Sequence, residues 1–204
     1  MRIAILGAGN IGGALGRKWA QAGHSIRYGV RDPNKPDVQT LVSELGENAS
    51  AARVSEAISS AEVVVFAIPG VALVETVALH AEALDGRIII DATNNIRAET
   101  INNIDVFAER TPNASVYRAF NNYGWEIFAN PMFDDSAADL FYCGTDGAAR
   151  AVVDGLIADV GLRPIYLGGL DKVGLVDDIL WLWFALAREQ NMGRRLAFKV
   201  LTRE

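Results

Sequence analysis

Cysteine is almost missing. Cys143 stands alone in 204 residues, so no disulfide can close within the chain and no multi-cysteine metal site can be built. Histidine is nearly as scarce: His24 and His80 lie far apart without the spacing of a shared site, and no metal is expected. Positive charge is not in excess, since 19 Lys and Arg against 25 Asp and Glu give a formal net charge of −6. A nucleic-acid partner would call for a basic stripe, so none is expected. No apolar run approaches the roughly 20 residues that cross a bilayer, so no membrane partner is expected. The opening apolar run, Ile3–Leu6, is too short for the core of a secretory signal. The expected location is cytoplasmic.

What is present is alternation. Short bursts rich in Val, Ile and Phe occur at Arg2–Leu6, Ser25–Val30, Glu62–Ile68, Arg87–Asp91, Ser115–Ala119, Leu140–Cys143 and Arg163–Leu167, with a weaker one at Ala51–Val54. Most are apolar on both faces, as in parallel strands covered by helices on each side. Between them Asn10–Ala22, Pro33–Leu45, Val71–Leu84 and Gly147–Val160 carry apolar residues at helical spacing. The pattern predicts an α/β fold, a doubly wound Rossmann-type parallel sheet over residues 1–167. After Gly168-Gly169 the rhythm changes, and residues 168–204 read as a helical extension. Leu175, Ile179, Leu182 and Leu186 share a stripe that Trp181, Trp183 and Phe184 broaden. That surface is too apolar to stand in water alone, so it packs on the sheet or on a second subunit, and a homodimer is expected.

Gly7, Gly9 and Gly12 form GxGxxG between the first strand and the first helix. In that frame the first glycine permits the tight turn. The second lets backbone approach a pyrophosphate, and the third lets the helix close on the strand. The helix N-terminus adds unpaired N–H groups and partial positive charge. A dinucleotide site specific for NAD usually has an acid at the end of the second strand. Here "RYGVRDP" supplies Arg31, with Lys35 following, cations suited to a 2′-phosphate. Asp32 is the rival, but Asp before Pro33 is accounted for as a helix cap. The cofactor expected is NADP(H).

"GAGNIGGALG", "GVRDPNK", "VVVFAIPG", "DATNN", "YRAFNN" and "CGTDGAARAVVDGLIADVGLRPIYLGGL" resemble, in order, segments of the NADPH-dependent F420 reductase family, and the likeness extends to "NMGRRLAFKVL". These proteins are in turn similar to the reductase domain of the STEAP metalloreductases. The resemblance implies that Gly7, Gly9, Asn10, Ile11 and Gly12 cradle the pyrophosphate while Arg31 and Lys35 face the 2′-phosphate. It implies that Ala67, Ile68 and Pro69 line the adenosine and ribose side. Asn94 would border the nicotinamide, and Asn95, Asn121, Tyr123 and Trp125 the acceptor, coenzyme F420 or a flavin such as FMN or FAD. The chain departs from the family pattern at Ala8 and Val30, where hydroxyl residues are common, and at Asn95, where the family has proline.

Hydride passing from nicotinamide to a flat acceptor needs proximity and stacking more than an acid or base. The sequence offers no Ser-His-Asp set and no GxSxG elbow, and no catalytic residue is assigned. Lys172 and Tyr123 are the only claimants for proton transfer. Asn94, Asn95 and Asn121 read equally as ligand contacts or turn formers, and Tyr123 and Trp125 as stacking rings or core aromatics. Two alternatives remain: a reductase of small imines or carbonyls, and an NADP(H)-binding sensor without turnover.

Overall fold

In the computed structural model, which describes residues 1–203, six strands run parallel. They are β1 (Arg2–Leu6), β2 (Ser25–Gly29), β3 (Ala49–Ala52), β4 (Val63–Phe66), β5 (Ile88–Asp91) and β6 (Ser115–Arg118), in the order β3-β2-β1-β4-β5-β6. This is the strand order of a dinucleotide-binding Rossmann sheet. A hairpin of β7 (Met132–Phe133) and β8 (Ser136–Ala137) then leads into β9 (Asp139–Gly144). Here the expectation of parallel strands throughout is corrected: β9 pairs antiparallel with β6, and β10 (Arg163–Tyr166) runs parallel to β9. The helix before the hairpin has five residues and rises only about 7.5 Å. The chain therefore never returns to the amino edge, as a parallel crossover requires.

The strands are apolar on both faces because each face feeds its own core. Ile3, Ile5, Val63 and Val65 point into one core, and Ala4, Leu6, Val64 and Phe66 into the other. The first is covered by α1 (Asn10–Gln21), α2 (Pro36–Leu45), α6 (Trp125–Ala129) and α7 (Ala148–Val160), through Leu15, Trp19, Leu41, Phe128 and Leu156. The second is covered by α3 (Val54–Ser59), α4 (Leu73–Leu84) and α5 (Asp105–Arg110), through Ile58, Leu73, Val77 and Phe107. Each such side chain, fully buried, is worth roughly 1.5–3 kcal/mol. No helix of the described residues is long and apolar enough to cross a membrane.

Two sequence expectations move. The weak strand near residue 51 is Ala49–Ala52, and Val54 already belongs to α3. The second helix begins at Pro36, not Pro33. The residue before a proline is pushed out of the α region, and Lys35 accordingly takes φ −57°, ψ 132° as the cap of α2. Asp32 is therefore no helix cap. Its carboxylate accepts the Asn34 N–H at 3.0 Å in a local turn.

The C-terminal extension is helical only in part, which corrects the all-helix reading. α8 (Val173–Phe184) continues as one π-helical turn, Ala185–Glu189. Asn191 and Gly193 then take positive φ and end it. The remaining chain is an irregular strap tied to the main sheet. The Asp139 N–H donates to the Phe198 carbonyl at 3.0 Å, and the Phe198 N–H to the Tyr123 hydroxyl at 3.2 Å. Val200 N–H donates to the Asp139 carboxylate, which Arg163 grips through two bonds of 2.7 Å. Residues 168–203 thus pack on the sheet domain, with Trp183 buried in the first core.

Burial alone would raise the Asp139 pKa, but the Arg163 hydrogen bonds, the Val200 N–H and the charges of Arg163 and Lys199 outweigh it and hold the carboxyl below its ordinary value. A depressed folded-state pKa means stability that is present above the unfolded value near 4 and lost as pH falls through the lower folded value. Asp139→Asn should therefore melt below the wild type at neutral pH. The gap should shrink as pH falls below about 4, and a gap independent of pH in thermal melts would contradict the assignment.

Candidate active site

Because β1 to β6 are parallel, the segments that leave them gather at one edge of the sheet. Gly7 leaves β1 with φ +105°, and its N–H donates to the Gly29 carbonyl at 3.0 Å. A Cβ there would stand 2.5 Å from the Ala67 carbonyl oxygen, so the turn tolerates no other residue. A Cβ on Gly12 would run into the Gly7 carbonyl oxygen and press on Ile5, so α1 closes directly on β1. Gly9 is different: a Cβ there meets nothing within 4 Å. No side chain caps α1, and its first turn carries no acid. Asn10 is exposed at the first helical position, and Ile11 packs partly against the core. An open cradle of backbone N–H groups over a helix start fits a pyrophosphate.

Beyond β2, Arg31 is exposed. Lys35 is also exposed, with its ammonium 3.1 Å from the Asp37 carboxylate. Sequence reasoning missed Arg53. It caps α3 at the end of β3, and its Nη1 donates to the Arg31 carbonyl. Its only sequence signal was position, as the residue that follows the strand paired with β2. Ala67 and Ile68 leave β4 half-buried beside the glycine turn, and Pro69 is exposed next to them.

At the ends of β5 and β6 the structure holds a second group that sequence reasoning missed. Arg118 is fully buried and uses every N–H it has. Nε donates to Asp177 at 3.0 Å, and Nη2 to Asp177 and to the Asn94 Oδ1, both at 2.8 Å. Nη1 donates to Asp91 at 2.8 Å and also to the Thr93 carbonyl. Asp91 accepts further bonds from the N–H and hydroxyl of Thr93, and Asp177 from Asn102 and Asn121. Asn94 donates in turn to the Asn121 carbonyl at 2.7 Å. The signal was a charge inside an apolar strand, "SVYRAF", facing another in "RIIID", because buried charges must be paired.

This network distributes the acceptor-side candidates. Asn94 is half-buried with its amide oriented from both sides. Asn95 is half-buried, and its N–H is bound to the Ile101 carbonyl at 2.8 Å. Asn121 is buried, and its Oδ1 has no hydrogen-bond partner. Tyr123 is corrected from a stacking ring to a core residue: it is 4% exposed, and its hydroxyl donates to the Asp139 carbonyl at 2.6 Å. Burial pushes its pKa up, and the hydroxyl proton is committed to that carbonyl. Trp125 is 38% exposed at the start of α6. It shares a surface cavity of about 580 Å³ with Met192, Arg194 and Arg195, where Arg194 is paired with Glu126. Lys172 is paired with Asp171 on the surface. Burial pushes the Cys143 thiol up to about 12, leaving it inert.

Residues 2–95 match the family model described as NADP oxidoreductase, coenzyme F420-dependent. The F420-dependent NADP reductase of Methanothermobacter marburgensis is 29% identical over 223 residues, which cover 96% of this chain and 98% of that one. The glycerol-3-phosphate dehydrogenase [NAD(P)+] of Pseudomonas fluorescens is 30% identical over 108 residues. That match takes in 48% of this chain, which spans only about a third of the dehydrogenase (30%). Among solved structures, a candidate F420-dependent NADP reductase from an Arthrobacter species superposes with a TM-score of 0.85 at 25% identity, covering 99% of this chain and 100% of that one. A pyrroline-5-carboxylate reductase from Coxiella burnetii, at 12% identity and a TM-score of 0.68, shares the fold alone; the match covers 93% of this chain and 70% of that one. Residues 2–95 thus resemble the F420-dependent NADP oxidoreductase family, and the likeness to the Methanothermobacter reductase runs on along nearly the whole chain.

Proposed function

We propose that this protein is an NADP(H)-dependent oxidoreductase that moves hydride between NADPH and a deazaflavin of the coenzyme F420 type. The observation that carries the reading is the open backbone cradle at Gly9, over an uncapped helix start, with the Arg31 guanidinium beyond the neighbouring strand. The relative aligned along nearly the whole chain is an F420-dependent NADP reductase, which supports the choice of acceptor. NADPH, when bound, supplies the hydride from its nicotinamide ring.

The protein's own contribution is binding and orientation. Gly7, Gly9, Asn10, Ile11 and Gly12 hold the pyrophosphate through backbone. Arg31 and Lys35 take the 2′-phosphate, Lys35 by leaving Asp37, and Ala67, Ile68 and Pro69 flank the ribose. Asn94, held at both ends of its amide, keeps one N–H for the nicotinamide side. Asn95 and the half-exposed Trp125 border the acceptor, with Asn121 and Tyr123 supporting that wall from inside.

Purified protein mixed with NADPH and F420, FMN, FAD or a small cyclic imine tests the reading through loss of reduced-nicotinamide absorbance. Turnover with F420 is the expected result. Turnover with the imine alone would move the protein to the imine-reductase class, and tight NADPH binding without any turnover would make it a sensor. Arg31→Ala should weaken NADPH by about 10- to 100-fold and leave NADH nearly unchanged, whereas equal losses would remove the phosphate assignment. Leu175, Trp181 and Leu182 on α8 are each about half exposed, and we place a second copy of the chain over them. A monomeric mass by light scattering at micromolar concentration would remove that placement.

A further inference from the structure

The chain is acidic overall, yet two arginines, Arg31 and Arg53, leave the ends of β2 and β3 on neighbouring segments. No carboxylate lies within ion-pair distance of Arg31 or Arg53 among the described residues. The pairing of Gly29 with Ala52, and the Val30 N–H bond to the Ala52 carbonyl at 3.0 Å, fix the two segments side by side. The Arg53 side chain then turns toward β2, where Nη1 donates to the Arg31 carbonyl. That bond uses one of its five N–H donors.

Of the cations near this end, these two arginines are the ones that need break no ion pair to reach an anion. Ala8 and Val30 have no side-chain donor. The Lys35 ammonium is engaged with Asp37, and the Asp32 carboxylate with the Asn34 N–H. A phosphate monoester offers three acceptor oxygens, and planar guanidinium forks match them in pairs.

We propose that Arg53 is a specificity-determining residue whose guanidinium, beside that of Arg31, binds the phosphate on the adenosine 2′ position. The inference rests on the NADP(H) reading above. It adds that selection of the phosphorylated dinucleotide is divided between two strands, with one guanidinium from the end of each.

Titration calorimetry with 2′,5′-ADP and with 5′-ADP isolates this end of the site, because neither probe carries a nicotinamide or depends on the acceptor. Arg53→Gln should weaken 2′,5′-ADP by about 10- to 100-fold and leave 5′-ADP little changed. Arg53→Lys, which keeps the charge but not the fork, should fall between; if the glutamine variant does not fold, the lysine variant carries the comparison. Equal weakening of both probes would show that Arg53 only shapes the adenine side and would overturn the proposal. So would unchanged discrimination in a variant that melts like the wild type. If the wild type itself does not prefer 2′,5′-ADP, the NADP(H) reading fails and this inference falls with it.

Discussion

Arg118→Met should lower the free energy of unfolding by about 3–5 kcal/mol, a large part of the 5–15 kcal/mol that holds an ordinary domain together. The reason is what the substitution leaves behind. Asp91 is fully buried and Asp177 is 5% exposed, and among the described residues Arg118 is their only cationic partner. Without it two carboxylates remain in the interior with no positive charge, and the Asn94 amide loses one of its anchors. Urea unfolding, followed by the fluorescence of the buried Trp19 and Trp183, measures the loss. Adding Asp91→Asn and Asp177→Asn to the same chain removes the orphaned charges. More than half of the lost stability should then return, because buried ion clusters replaced by neutral groups cost far less than clusters broken on one side. A single variant within about 1 kcal/mol of the wild type would mean that water already reaches the cluster.

Arg118 also marks where the sequence stops being legible. The six parallel strands and the five helices of ten or more residues were visible because each strand feeds two cores and each long helix buries one face, and periodicity records burial directly. The glycine turn was visible because its constraints are backbone constraints attached to fixed spacings, and Gly7 and Gly12 carry the contacts that the pattern implies. The reversal of β9 was hidden, since an apolar strand has the same composition in either direction and only the short α6 decides its sense. α3, α5 and α6, with five or six residues each, are too short to establish a period. The irregular strap resembled a helix because Leu196, Ala197 and Phe198 do pack against the core, although through chain without regular structure. Asn94, Asn121 and Asp177 lie far apart in sequence. Their shared partner becomes visible only when β5, β6 and α8 are brought together.

Gly9→Ala should separate binding from folding more sharply than any other change at the turn. A Cβ at Gly9 meets nothing within 4 Å, and the residue sits at φ −83°, ψ −162°, which alanine adopts without strain. The loss of stability should stay below about 1 kcal/mol, the usual scale for a changed helix cap. Binding should suffer much more, because the methyl group would occupy the space through which the backbone N–H groups reach a pyrophosphate. Losing one or two charge-assisted hydrogen bonds there weakens NADPH by about 10- to 100-fold or more. NADH should weaken in the same proportion, since both nucleotides share the pyrophosphate, and this sets the result apart from that expected of Arg31→Ala. Gly12→Ala provides the contrast. Its Cβ collides with the Gly7 carbonyl oxygen, so it should lose about 1–3 kcal/mol of stability to overpacking together with binding. Calorimetry and thermal melts on the two variants decide the matter. A folded Gly9→Ala protein that binds NADPH as tightly as the wild type would show that the nucleotide does not lie over this turn, and the assignment of the whole carboxyl edge would go with it.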